Sequence, residues 1–284
     1  MSGDLAFSGK KEQFHRAAGW IEQLAAEVGC SDQTDIRVVP GNHDIDRERI
    51  DYFCNAVHER LRSSPPQRLE QELRYMAMAT WESNPLLPKL QEYRVYASRY
   101  DCDFRPVERL SWRKPYAFDD NHRFEILGLT SVLVCDGNDA KDQMILGSNQ
   151  YIFDREDDVE FVVMVHHPLS WFMDQQDAQR YLDRARVILT GHEHLLRVSK
   201  ESTDAGDEFL HVCAGATNPP ETAGPYPYRY NWLDFSLRIE GGQQYRETPA
   251  VVYGCTPGQF ERSALRPTVL RELAPSPRGV NLIA

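Results

Sequence analysis

The sequence predicts an α/β protein, with a layered, mostly parallel sheet first and a second sheet of antiparallel strands after it. Three observations carry this. Apolar side chains recur at helix spacing through residues 11–29, and a short loop leads on to a β-branched run at 36–39. That helix-to-strand rhythm builds a parallel sheet if a strand precedes Gly3. Residues 161–165 are apolar without a break, as expected of a strand covered on both faces. Residues 230–239 alternate instead, Trp232 falling opposite in phase to Leu233, Phe235, Leu237 and Ile239.

Taken in order, the first helix sets Phe14, Ala18, Ile21, Leu24, Ala25 and Val28 on one stripe and stops at Gly29. A second helix covers 47–61, with Ile50, Phe53, Val57 and Leu61 at helix spacing, and Pro65-Pro66 breaks it. Helices at 69–81 and 89–100 follow, separated by Asn84-Pro85 and Pro88. Residues from 51 to about 115 form a helical insertion without motif residues. It either shapes access to a site or is a plain connection packed on the sheet. Trp81, Tyr93, Tyr96 and Trp112 are read as packing residues in preference to substrate-stacking ones. Residues 124–135 are strand-like around Gly128, 177–185 are a short helix, and 186–190 and 209–214 are strands. Gly241-Gly242 signals a hairpin into 245–253. Residues 1–255 thus read as one domain, and 256–284, with Pro257, Pro267, Pro275 and Pro277, as an extended tail.

A chain of 284 residues with 41% hydrophobic content supports a sizeable core. A net charge of −11 argues against a broad grip on duplex nucleic acid. It leaves room for a small anionic substrate, because bound cations dominate a local field. Cys30, Cys54, Cys102, Cys135, Cys213 and Cys255 are scattered, with no Cys-x-x-Cys, as in a reduced cytosolic protein. Residues 1–15 lack the basic start and apolar core of a signal peptide. No apolar run approaches the roughly 20 residues of a membrane span. A cytoplasmic protein without membrane contact is expected.

Chemistry concentrates in four stretches. Val38-Val39-Pro40-Gly41-Asn42-His43-Asp44 reads as a strand delivering an amide, an imidazole and a carboxylate to a loop at its carboxyl end, the edge where open α/β sheets bind ligands. Gly3-Asp4, His166-His167-Pro168 and Gly191-His192-Glu193-His194 look built to meet it. Carboxylate, amide and imidazole together are ligands for Zn, Mn or Fe.

Gly-Asp, Gly-Asn-His-Asp, His-x-Pro and Gly-His-x-His, in that order from Asp4 to His194, resemble the calcineurin-like metallophosphoesterases, bacterial members most closely. The resemblance implies two packed mixed β-sheets flanked by helices, a four-layer sandwich. It also implies a paired metal centre in which Asp4 bridges two ions. Asn42, His166 and His192 would complete the second ion's ligands and His194 would serve the first. His192 and His194 alternate like residues of an extended segment, so both can face one site with Glu193 turned away. His43 would face the substrate as leaving-group acid, and Asp44 would hold its tautomer. His167 is left as a neighbour of His166. Arg47 is a candidate phosphate contact just past the block, with a solvated helix face as the plainer reading. The family's leading Asp-x-His block is absent, since the sequence opens at Met1-Ser2-Gly3-Asp4, and the first strand is expected to be missing with it. One divalent ion (Mn, Fe or Zn) held tightly and a second weak or absent is therefore expected. An exposed sheet edge would call for a partner or a second copy to cover it.

The implied activity is metal-dependent hydrolysis of a small phosphodiester such as a cyclic nucleotide. A nuclease acting on single strands or ends, and a weakly active regulatory module, are the alternatives.

Overall fold

The structure is a computed structural model. It describes residues 1–30, 35–104, 110–117, 123–153, 159–182, 184–194, 197–202, 208–215, 228–233, 235–240, 243–256, 259–262 and 268–273.

Four parallel strands form the centre of a six-stranded mixed sheet: β2 (Arg123–Leu129), β3 (Val159–Met164), β4 (Ala185–Thr190) and β6 (Glu208–Cys213). Strands β1 (Ser111–Ala117) and β5 (Arg197–Ser202) close its two edges in antiparallel pairing, giving the order β1-β2-β3-β4-β6-β5. Side chains alternate across a strand. Phe161, Val163 and Ile188 accordingly face the main core, while Val162, Val187, Leu210 and Val212 form a second apolar cluster on the other face.

Helices α1 (Lys11–Glu27), α2 (Tyr52–Arg62), α3 (Pro66–Ala77), α4 (Gln91–Ala97), α5 (Ser148–Tyr151) and α6 (Gln175–Leu182) bury their apolar faces in the main core. The second cluster instead meets Leu233 and Phe235, and Phe235 stacks on Phe124 of β2 at 5.4 Å. Leu233 ends β7 (Tyr228–Leu233), which with β8 (Ser236–Glu240), β10 (Gln259–Arg262) and β11 (Thr268–Leu273) pairs onto the long β9 (Gln243–Thr256). The described residues therefore set helices on one face of the mixed six-stranded sheet and the second sheet on the other, the α/β arrangement expected. The second sheet is antiparallel in every described pair, as the alternating sequence pattern predicts, where the resemblance implied a mixed one; strands this close in sequence return as hairpins and leave no room for a parallel crossover.

Local chemistry explains where the elements depart from the sequence pattern. The single helix expected over 47–61 is split. The Asp46 carboxylate caps a 3₁₀ turn over Arg47–Arg49, and the Asp51 carboxylate then accepts from Cys54 N at 2.8 Å to start α2. The register moves with it: Cys54, His58 and Leu61 face inward, and Phe53 is 72% exposed. On α1 only the first part of the predicted stripe is covered: Phe14, Ala18 and Ile21 are buried, while Leu24 and Val28 are exposed. The run 36–39 makes no ladder, although Val38 and Val39 are buried; Val39 N donates to Met1 O, and Val38 O accepts from the Trp112 indole at 2.9 Å. Trp112 itself lies flat over Gly128, where a Cβ would come within 2.0 Å of the ring. The expected tail contains β10 and β11; its remainder, like Gly241 and Gly242, lies outside the described residues, although Glu240 and Gln243 on either side pair directly. The four aromatic residues read as packing residues are all buried. Cys30, Cys54, Cys102, Cys135 and Cys213 form no disulfide. No helix of the described residues is long and apolar enough to cross a membrane.

Candidate metal centre

The carboxyl ends of the parallel strands gather the polar stretches on one edge. Past β3, Val165 N still bonds Leu189 O; past β4, Gly191 N bonds His166 O at 2.9 Å, which sets the two histidine segments side by side. Residues 1–4 run beside 37–39, with Met1 N donating to Arg37 O at 2.6 Å.

Asp4 adopts a left-handed backbone at φ 57, which turns its carboxylate onto the loop at 40–44. It rests directly on Gly41, where a Cβ would meet Asp4 Oδ1 at 2.1 Å, so no larger residue fits there without displacing it. Asp4 Oδ1 accepts from His43 N at 3.1 Å, and Asp4 Oδ2 is left 3.5 Å from His166 Nε2. Asn42 Oδ1 stands 3.1 Å from the same nitrogen. On the other side of that ring, Nδ1 is 2.6 Å from the Ser2 carbonyl oxygen. A carbonyl only accepts, so Nδ1 carries the proton and Nε2 presents its lone pair. Burial holds His166 below the usual imidazole range and keeps it neutral, against the opposing pull of Asp4.

Three electron-pair donors of different kinds thus converge: a carboxylate oxygen, an amide oxygen and an imidazole nitrogen. Their mutual repulsion is what a cation relieves, and the donor set suits a divalent metal. Asp4, Asn42 and His166 fit the ion that the sequence motifs imply.

The histidines beyond them are arranged differently from expectation. Residues 192–194 are not an extended segment presenting both imidazoles to one site. His192 and His194 are left-handed, at φ 66 and 54, and Glu193 N bonds Gly191 O at 2.8 Å, so the chain turns sharply. His192 packs under the edge of Trp171, ring centres 4.3 Å apart, while His194 is exposed and lies outside the three-donor groups found among the described residues. His167, left aside as a neighbour, enters such a group: ligand atoms of His166, His167 and His192 lie within 4.8 Å of one another. Burial, with His166 beside it, pushes His192 down to about 4, and burial holds His167 well below the imidazole range. All three rings are neutral near pH 7, as ligands must be.

His43 stands at the open side. Its ring stacks on Phe7 at 5.6 Å, and Nδ1 is 3.0 Å from the Phe7 carbonyl oxygen. Asp44 does not hold the His43 tautomer. It is fully buried, accepting from Ala6 N at 2.6 Å and from Gly41 N at 2.8 Å, so it braces the two site loops from beneath. Burial, then the Asp4 charge, pushes Asp44 up to about 8. Arg47 is exposed and reaches back to the Asn42 carbonyl at 3.5 Å, which places it at the rim.

Sequence reasoning missed Phe7, Trp171 and the Ser2 carbonyl. Trp171 carried a signal, standing three residues after Pro168; a backbone carbonyl carries none, and Phe7 is one apolar residue in a loop.

The family model for calcineurin-like phosphoesterase matches residues 1–196, which hold every residue of this centre. No curated protein matches the chain.

Proposed function

The chain belongs to the calcineurin-like phosphoesterase family, whose members are metal-dependent phosphoester hydrolases, and we propose that its substrate is a small phosphodiester such as a cyclic nucleotide. The observation that carries this is the approach of an Asp4 and an Asn42 oxygen to within 3.5 Å of His166 Nε2, beside the His43 imidazole, which Phe7 O holds by its Nδ1. A divalent ion bound there supplies neutralisation of the phosphoryl charge and a water of lowered pKa.

The chain's own residues do the rest. Phe7 O accepts from His43 Nδ1–H and so fixes the ring. In the imidazolium form His43 carries a second proton on Nε2, and it is this proton that it hands to the leaving oxygen, leaving the Nδ1–H neutral ring behind. Phe7, 76% exposed and stacked against His43, offers a flat apolar face to the leaving group or a nucleobase. A net charge of −11 disfavours long nucleic acids and leaves a small diester as the better fit. Of the donors assigned by the motifs, four serve one ion and two the other, so one Mn, Fe or Zn ion is held firmly and a second weakly.

The test is hydrolysis of an activated phosphodiester by protein loaded with manganese. Turnover that chelation abolishes and manganese restores is the expected result. Folded protein saturated with Mn, Fe or Zn that never exceeds the buffer rate on mono- and diesters would overturn the enzyme reading and leave a regulatory module.

A further inference from the structure

A second polar cluster lies under the same edge of the sheet and belongs to no family motif. Cys135 and Asp139 stand on the segment that follows β2, and His167 at the end of β3 meets them. A thiol sulfur, a carboxylate oxygen and an imidazole nitrogen of these residues all lie within 4.8 Å of one another. Cys135 and His167 are fully buried.

Two of the three residues are each anchored by one atom and idle at another. Asp139 Oδ1 accepts from Asp136 N at 3.2 Å, while Asp139 Oδ2, also buried, lacks a well-formed hydrogen bond, the carboxylate having only the Cys135 thiol beside it. His167 Nδ1 is 2.9 Å from Ser131 Oγ, while Nε2 is buried without a partner. A buried nitrogen left unpaired, and a buried carboxylate oxygen with only the weak Cys135 thiol donor beside it, carry a desolvation cost that the protein offsets poorly. A cation between them and the sulfur removes it, and Ser131 is placed to orient the ring, as outer partners of histidine ligands do.

We propose that Cys135, Asp139 and His167 form a further metal site, for zinc(II), distinct from the Asp4–Asn42–His166 centre. Sulfur, nitrogen and oxygen together are a zinc set, and thiolate with imidazole does not suit magnesium or calcium. Binding displaces the thiol proton to solvent, so uptake of one zinc ion releases one proton from Cys135 and weakens in acid. The ion ties the segment after β2 to the tip of β3. It therefore fixes His167 and, through the shared peptide, the orientation of His166. His167 also touches the ring of His192, centres 4.4 Å apart, so the two centres are mechanical neighbours. Its role is support for the catalytic edge.

Cobalt(II) titration of the metal-free protein tests this through a readout independent of activity. A thiolate-to-cobalt charge-transfer absorption should rise to one equivalent in the wild type and equally in Asp4→Asn, and be absent in Cys135→Ala. Asp139→Asn, which keeps the thiol and the side-chain volume, should weaken cobalt binding by about tenfold or more. Folded wild type saturated with cobalt and showing no sulfur band would overturn the site. So would an undiminished band in Cys135→Ala, its loss in Asp4→Asn, or unchanged affinity in Asp139→Asn. None of these results bears on whether the neighbouring centre hydrolyses phosphodiesters.

Discussion

The His43 imidazole shows how much of the centre depends on groups other than side chains. Its proton is placed by the Phe7 carbonyl, and the His166 proton by the Ser2 carbonyl. If His43 is the leaving-group acid and not a ligand, His43→Ala keeps its metal content and loses turnover by roughly 10²–10⁴-fold. His192→Ala, which removes a donor, should lose bound metal as well. Metal analysis alongside single-turnover rates separates the two; equal metal loss in both variants would make His43 a ligand. At this scale the convergence of Asp4, Asn42 and His166 was legible because the apolar runs beside these stretches bring them to one edge of the sheet. The service of Asp44 was not. Its motif position suggests a partner for His43, but a carboxylate with no solvent exposure goes to the nearest unpaired amides, and Ala6 N and Gly41 N were the ones on offer. The turn at 191–194 was missed for a related reason, since alternating residues read as extended until the backbone takes a left-handed φ.

Between elements, Lys89 is the joint. It is 1% exposed, and its ammonium donates to Leu133 O and Cys135 O at 2.8 Å each and to His58 Nε2 at 3.0 Å. One side chain therefore fastens α2, the turn before α4 and the segment that follows β2. Burial pulls its pKa down to about 8, so the charge is held against desolvation by those three acceptors. Lys89→Met fills the space but leaves two buried carbonyls and a ring nitrogen without a donor. The expected loss is about 2–4 kcal/mol, read as a lower midpoint in urea unfolding at pH 7. A variant as stable as the wild type would mean that the acceptors find other donors. None of this joint was visible in the sequence, where Lys89 reads as the polar first residue of a helix. A buried lysine cannot be told from an exposed one without knowing which carbonyls surround it. The parallel strands were legible, because strands covered on both faces must be apolar throughout. The strand expected at 36–39 was misjudged because burial alone imitates a strand: Val38 and Val39 are fully covered yet have Met1 and the Trp112 indole for partners in place of a ladder.

Across the whole molecule, the polar groups enclosed behind the carboxyl edge of the sheet tie stability to pH. His58 sits under α2 with Lys89, Arg62, Asp136 and Cys54 as the charged or titratable groups facing it. Burial, then the Lys89 and Arg62 charges, pushes it down to about 3 from its ordinary 6.5. The sign follows. Below the ordinary value the unfolded chain takes up a proton that the folded protein refuses, so protonation favours unfolding. The stability held by a neutral His58 is complete above about pH 6.5 and is lost progressively toward about pH 3. The slope from one such group is on the order of 1 kcal/mol per pH unit. His166, His167 and His192 are depressed in the same direction, but bound metal would hold them neutral in any case. His58 is a ligand of neither proposed centre, but Lys89 and Asp136 join it to Cys135 and Asp139, so its share is read with the metal sites kept filled. Urea unfolding of metal-loaded protein at several pH values down to about 4.5 should show stability falling in acid, and His58→Gln should flatten that fall by about one proton's worth. An equally steep profile in the variant would mean that His58 takes up its proton in the folded state, with Asp136, 3.7 Å from its Nδ1, as the partner.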